Sequence, residues 1–279
     1  MKYSFSSNAF RQYSLAETVC TLSATGYAGI EIMCDTPHAY PPDLSVSDIR
    51  TIKEDLARSG LTISNLNAFM LCAIENFHHP SWIEEDKDYR ELRIQYTLAC
   101  IDLAAKLGVR TISTEPGGPV HGMSRDTALD LFMDGLSRVV PRALENGVYI
   151  LIEPEPGLLI ETSHEFLSFI KQFGHQGIGL NFDIGHFYCV GEDPAVKIVE
   201  LKDYIFHFHL EDIPKSRKHQ HVLLGEGGID IPKVLETIEM IGYQGFVTVE
   251  LYPYLDSAPE IARKAHDYLR NICRYGYTQ

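Results

Sequence analysis

Basic residues are scarce in this sequence. Against 38 Asp and Glu it carries 24 Lys and Arg, a formal net charge of −14. Proteins that grip a nucleic-acid backbone do so with Lys and Arg that neutralise phosphates, so nucleic acid is not an expected partner. No apolar run approaches the roughly 20 residues that cross a bilayer, and no membrane span is expected. The stretch Lys2-Tyr3-Ser4-Phe5-Ser6 lacks the charged segment and apolar run of a signal peptide. Six cysteines (Cys20, Cys34, Cys72, Cys100, Cys189 and Cys273) include no CxxC pair and no short even spacing. Free thiols in a reducing cytoplasm are therefore expected. A glycine-rich phosphate loop is missing too. After the first strand stands Ser6-Ser7-Asn8-Ala9-Phe10, which argues against a doubly wound dinucleotide fold.

What the sequence does contain is ordinary globular composition, 45% hydrophobic and 22% charged, with a recurring phrase. A helix-like stretch runs into a glycine and then into a short Ile/Val/Leu-rich segment. Gly26-Tyr27-Ala28-Gly29 leads into Ile30-Glu31-Ile32, Gly60 into Leu61-Thr62-Ile63, and Gly108 into Val109-Arg110-Thr111-Ile112. Gly147 leads into Val148–Ile152, Gly177 into Ile178–Phe182, and Gly245 into Phe246–Val249. Helix termination at a left-handed glycine followed by a buried parallel strand produces such a phrase. With Lys2–Ser6 and Tyr204–Phe208 the strands number eight. Between them, Leu92, Tyr96, Ala99, Leu103 and Leu107 recur at helical spacing. Eight alternating units in a chain near the typical ~250 residues predict a single (β/α)₈ barrel over residues 1–279. Long connections near 34–45 and 72–86 are candidate lids.

A barrel of this kind displays its functional groups at the C-terminal ends of the strands. Strands 5 to 8 end in Glu153, Asp183, His209 and Glu250. Three carboxylates gathered without compensation would repel one another, and a divalent cation resolves the conflict. An oxygen-rich set with one imidazole suits Mn²⁺ or Mg²⁺, with Zn²⁺, Co²⁺ and Fe²⁺ left open. His207 is read as a packing residue, facing the helices on the opposite side from His209. His38, Tyr40, Phe69, Trp82, Tyr252 and Tyr254 are candidate walls of a sugar pocket.

The string from Glu153 through Asp183-Ile184-Gly185-His186, His209-Leu210-Glu211-Asp212 and Gly225-Glu226-Gly227 to Glu250 resembles the xylose isomerase-like barrel superfamily. The phrases Gly26–Glu31 and Gly242–Phe246 share the resemblance, which spans essentially the whole chain. That group contains sugar-phosphate isomerases, ketose 3-epimerases, inosose dehydratase and endonuclease IV. The epimerase pattern implies Glu153, Asp183, His209 and Glu250 as metal ligands and Glu153 and Glu250 as the acid/base pair. It implies proton transfer through an enediolate, on a sugar, polyol or sugar phosphate. His186, His221 and Arg217 become substrate contacts, Arg217 being offset from the epimerases' arginine.

The endonuclease pattern fits less well. Its strand-4 histidine is replaced by Glu115 before Pro116-Gly117, its strand-3 histidine by Asn67, and its Asp-x-His by His219-Gln220-His221. His186, His219 and His221 still admit a second-metal reading. That keeps a zinc-dependent dehydratase or phosphoesterase as the alternative. The resemblance also leaves a homo-oligomer open.

Overall fold

The computed structural model describes residues 1–275, with side chains described through 272, so Cys273 lies outside the described side chains. Eight strands alternate with helices: β1 (Lys2–Ser6), β2 (Gly29–Met33), β3 (Thr62–Asn67), β4 (Thr111–Thr114), β5 (Tyr149–Ile152), β6 (Ile178–Asp183), β7 (Ile205–Leu210) and β8 (Phe246–Val249). All neighbours pair in parallel. The sheet closes where β1 meets β8, with Tyr3 opposite Val247, so the architecture is a (β/α)₈ barrel. Around it run α1 (Leu15–Thr25), α2 (Val46–Ser59), α3 (Lys87–Leu107), α4 (Arg125–Glu145), α5 (Ser163–Phe173), α6 (Ile184–Cys189), α7 (Pro194–Leu201), α8 (Ile231–Met240) and α9 (Ala258–Tyr275). No helix among the described residues is long and apolar enough to cross a membrane.

The glycine phrase works as the sequence predicts. Gly26 caps α1 at φ 105°, its N–H donating to the carbonyls of Leu22 and Ser23, and Gly108 caps α3 at φ 76°. Both conformations are costly for residues that carry a Cβ. Helix starts are equally explicit. Ser14, Ser45 and Thr162 each form a reciprocal capping box with the acid three residues on.

Two departures from strict regularity matter for the mouth of the barrel. Pairing skips Ser64 between β2 and β3, and Phe206 between β6 and β7. Such bulges re-aim side chains. On β7 the sequence-based assignment of His207 needs correction. Residues two apart on a strand share a face, and His207 points into the barrel below His209, its ring 5.6 Å from that of His209. Phe206 and Phe208 take the outward positions, packing on Tyr149 and Tyr243.

The buried face of α3 also differs from the expected stripe. Leu92 is 42% exposed, while Arg93, Ile94, Tyr96, Thr97, Cys100, Ile101, Leu103 and Ala104 are buried. The helix is turned so that Arg93 reaches the long connection between β3 and α3. There its Nε donates to the carbonyl of Pro80 (2.8 Å) and its Nη1 to those of Phe69 (2.8 Å) and Ala68 (3.3 Å). Nε also lies 3.8 Å from the buried carboxylate of Glu115, which accepts from the N–H of Trp82 at 3.0 Å. Trp82, a candidate wall of the pocket, is instead buried. Its indole N–H donates to Thr114 Oγ1 and its ring packs edge-on against Phe132. The arginine thus clamps both ends of the loop to the barrel.

Leaving a buried carbonyl without its donor costs about 1–3 kcal/mol, and Arg93 serves three of them, so its loss is worth about 3–5 kcal/mol in all. Arg93→Met is expected to lower the unfolding free energy by about that amount in urea titrations; an effect within experimental scatter would show that the clamp contributes nothing. Burial pushes the Glu115 carboxyl up to about 7, against the opposing pull of Arg93. The folded state therefore keeps a proton that the unfolded chain has released at neutral pH. Its stabilising contribution is full below the ordinary glutamate range and is lost as pH rises through about 7. Glu115→Gln should flatten the decline in stability across that window.

Candidate active site at the barrel mouth

Four successive strands deliver the functional side chains because parallel strands all end at the same rim. Glu153 follows β5, Asp183 ends β6, His209 lies one residue from the end of β7, and Glu250 follows β8. One ligand atom from each lies within 4.8 Å of the others, and all four residues are buried. The ring of His209 is their meeting point. Its Nδ1 is 3.0 Å from Glu153 Oε1, 3.5 Å from Glu250 Oε2 and 3.7 Å from Asp183 Oδ2.

Asparagines hold the outward oxygens of the two glutamates. Asn181 Nδ2 donates to Glu153 Oε2 at 2.8 Å, and Asn8 Nδ2 donates to Glu250 Oε1 at 2.7 Å. Asp183 Oδ1 accepts from the His186 N–H at 2.7 Å, while its Oδ2 is buried with no hydrogen-bond partner. An orphaned carboxylate oxygen facing two glutamates and an imidazole fits a divalent cation, since the donor set is three hard oxygens and one nitrogen. Among the described residues, the four groups of His, Cys, Asp and Glu dense enough for an ion all lie at this mouth.

The electrostatics carry the same signature. Burial pushes Glu250 well above the usual carboxylate range, helped by Glu153 and Asp183 and opposed by His209. Burial also raises Glu153, again against His209. For Asp183 burial acts upward, but His186, His209 and His221 outweigh it and hold the group below its ordinary value. The His209 ring is disfavoured as a cation by burial, yet Glu250, Glu31 and Glu153 lift it well above the usual imidazole range. Glu155 and Glu211, two further carboxylates at the mouth, are raised well above normal, first by burial.

Above the four residues opens a cavity of about 620 Å³, within the range of small-molecule sites. Glu153, Glu155 and Glu250 line it beside His186 and His219. The connection after β3 supplies Phe69, Met70, Asn76, Phe77, His78 and His79, which makes it a wall of the site, while Tyr252 comes from the β8 loop. Of the aromatic and His-bearing candidates, then, Phe69 and Tyr252 line the cavity. His38 and Tyr40 border a separate hollow against α1 and α2, and Tyr254 accepts a hydrogen bond from the Leu223 N–H.

His186, His219 and His221 come together, each with a ring nitrogen within 4.8 Å of the others. His186 Nδ1 is 2.9 Å from the carbonyl of Pro154, and His221 Nδ1 is 2.9 Å from that of Glu250. Donation at Nδ1 turns each Nε2 into a free acceptor. The Nε2 atoms of His219 and His221 have no partner. Burial depresses His186 to about 3 and His221 to about 4. Arg217 stands apart from this group. It is exposed, with φ 61°, its guanidinium 4.5 Å from the Tyr188 ring and its Nη1 donating to the Tyr188 carbonyl; it does not line the cavity.

Asn8, Asn67, Asn181 and Glu31 were not identified from sequence as site residues. Glu31, at β2, is fully buried and lies 2.9 Å from His209 Nε2, on the side of the ring away from the other carboxylates. The signal available was its place in the Gly-Ile-Glu-Ile phrase, one acid inside an otherwise apolar buried strand.

A family model described as xylose isomerase-like TIM barrel matches residues 21–272. Inosose dehydratase from Geobacillus thermodenitrificans is 24% identical over 292 residues, covering 94% of this chain and 91% of that protein. Among solved structures, a D-tagatose 3-epimerase-like protein superimposes with a TM-score of 0.81 at 23% identity, covering 99% of this chain and 98% of the other. The IolI protein, whose structure has a zinc atom bound, superimposes with a TM-score of 0.77 at 20% identity, covering 98% of each chain. With the family match running almost end to end and the eight-stranded barrel closed, the chain belongs to the xylose isomerase-like TIM barrel family.

Proposed function

We propose that this protein is a divalent-metal-dependent isomerase or epimerase of a sugar or polyol, working by proton transfer between Glu153 and Glu250. The observation that carries the reading is the arrangement of these two glutamates. Both line one cavity, each has one oxygen at His209, and each has the other tethered by an asparagine. Glu153, Asp183, His209 and Glu250 would hold Mn²⁺ or Mg²⁺, which supplies Lewis acidity toward a carbonyl and its neighbouring hydroxyl. One glutamate takes the proton from the hydroxyl-bearing carbon beside the carbonyl, and the other returns a proton to the opposite face of that carbon, inverting the centre. Return to the adjacent carbon interconverts an aldose and a ketose. His186 and His219, which line the cavity, would offer ring nitrogens to substrate hydroxyls, whereas His221 is buried and is not among the lining residues. Arg217, held on Tyr188, receives no substrate role.

Charge favours an uncharged substrate. Three glutamates line the cavity, and none of the described lining residues is Lys or Arg. A phosphate group would find no Lys or Arg among those lining residues to pair with, and neither would a nucleic-acid backbone. The free thiols, Cys34 and Cys100 buried among them, support a cytoplasmic setting.

A second reading rests on the clustering of the three histidines, with the Nε2 atoms of His219 and His221 unpartnered. With a second ion bound there, Zn²⁺ being suited to an imidazole trio, the site would perform metal-assisted elimination or hydrolysis. Metal analysis separates the two. One equivalent of Mn²⁺ or Mg²⁺ supports isomerisation, and two or more equivalents of Zn²⁺ support the second reading.

Glu153→Gln and Glu250→Gln should each lower kcat by about 10²–10⁴-fold, the usual worth of a positioned acid or base. Solvent deuterium should enter the product at the reacting carbon in the wild type; a panel of ketoses and polyols that exchanges nothing in metal-loaded protein would sink the reading. A phosphorylated counterpart of an accepted substrate should show a kcat/KM at least about tenfold lower, because desolvating a phosphate with no Lys or Arg to pair it is costly.

A further inference from the structure

We propose that Glu31 is the positioning residue that fixes the ring of His209, so that Nδ1 faces Glu153, Asp183 and Glu250. The inference rests on the reading of those residues as a cation site. The two nitrogens of His209 face opposite ways. Nδ1 addresses the three carboxylates at the mouth, and Nε2 addresses Glu31 Oε2 at 2.9 Å. A ring that donates Nε2–H to Glu31 presents an unprotonated Nδ1 to a cation, and a carboxylate acceptor also makes the donating ring a stronger base.

Glu31 is itself immobilised. Asn65 Nδ2 donates to its Oε2 at 2.9 Å and Asn67 Nδ2 to its Oε1 at 3.3 Å, and all three residues are essentially inaccessible to solvent. His207 Nε2 lies 3.4 Å from the same Oε2 but is engaged at 2.8 Å by Thr248 Oγ1, so it backs the carboxylate without displacing His209. Asn67 connects this core to the cavity wall, its Oδ1 accepting from the Phe69 N–H at 3.1 Å.

Stability alone gives poor grounds for a carboxylate here. Among the described residues the ion-pair partners of Glu31 are His207 and His209, without a lysine or arginine. Burying such a group is costly, and an apolar side chain of similar volume is often as stable or more so. The bulge at Ser64 brings Asn65 into register with Glu31, so the backbone irregularity serves the same contact.

The test measures Mn²⁺ affinity of the full chain by calorimetry, for the wild type, Glu31→Gln and Glu31→Leu. Glu31→Leu should weaken Mn²⁺ binding about 10–100-fold, the usual cost of losing an outer partner of a metal-ligating histidine. Glu31→Gln keeps an acceptor oxygen and should fall between the two. If Glu31→Leu does not fold, the Glu31→Gln affinity and spectrum carry the comparison. In Zn²⁺-loaded protein carrying ¹⁵N-labelled histidine, the wild type should show His209 Nε2–H as a protected downfield proton, retained in Glu31→Gln and lost in Glu31→Leu. Wild-type affinity in either folded variant, or a His209 spectrum showing Nδ1–H in the metal-loaded wild type, overturns the assignment. Equal losses in the two variants would mean that charge alone acts, which overturns it as well. Failure of the wild type to bind Mn²⁺ at all would overturn the cation site, a separate outcome from the variants matching a wild type that binds.

Discussion

One imidazole holds the mouth of this barrel together. Around His209 stand Glu31, Glu153, Asp183 and Glu250, every one of them withdrawn from solvent. Four carboxylates at that depth are tolerable only with positive charge among them or with protons on them, because the low dielectric magnifies each repulsion. The ring supplies what charge the chain itself can offer, which is why its own ionisation and those of its neighbours are pulled so far from ordinary values. Asn8 and Asn181 then limit the freedom of Glu250 and Glu153 to reorient. The geometry is held in advance of any ligand, the condition under which electrostatic groups act most strongly.

A second constraint shapes the space above. The connection after β3 would be a long surface loop, but a buried arginine and a buried tryptophan tie it down. Its apolar members Phe69, Met70 and Phe77 face the cavity together with polar groups such as Asn76 and His78. Flat apolar surface beside hydrogen-bonding groups is what a polyol presents in turn: C–H faces and a rim of hydroxyls. The fold therefore divides its labour. Strands β5 to β8 bring the three carboxylates and the imidazole, and the connection after β3 brings much of the facing wall.

The fold was legible because its signals are local. Six of the eight strands are announced by a terminating glycine and a run of branched apolar residues, and the closed order follows from eight repeats. The residues at the four strand ends were legible for the same reason, since strand ends are marked in the sequence by the switch from apolar to polar. What escaped was the interior. On strands buried on both faces, alternation carries no polarity signal, so Asn181 was unmarked and Glu31 stood out only as one acid in an apolar run. Counting two residues from His209 places His207 on the same face, and the displaced partner is Phe206, where the pairing slips. Trp82 and Arg93 were hidden differently. Their roles depend on groups distant in the chain, Thr114 for one and the carbonyls of residues 68, 69 and 80 for the other.

That last contact has an evolutionary consequence. Arg93 holds the cavity wall through three backbone carbonyls, a feature every residue type possesses, so the grip is indifferent to the side chains displayed between its anchor points. Phe69, Phe77 and His78 can be exchanged while the strap that bears them stays fastened. A barrel anchored this way can change the walls of its cavity by rewriting those loop positions, leaving the carboxylates at the strand ends untouched.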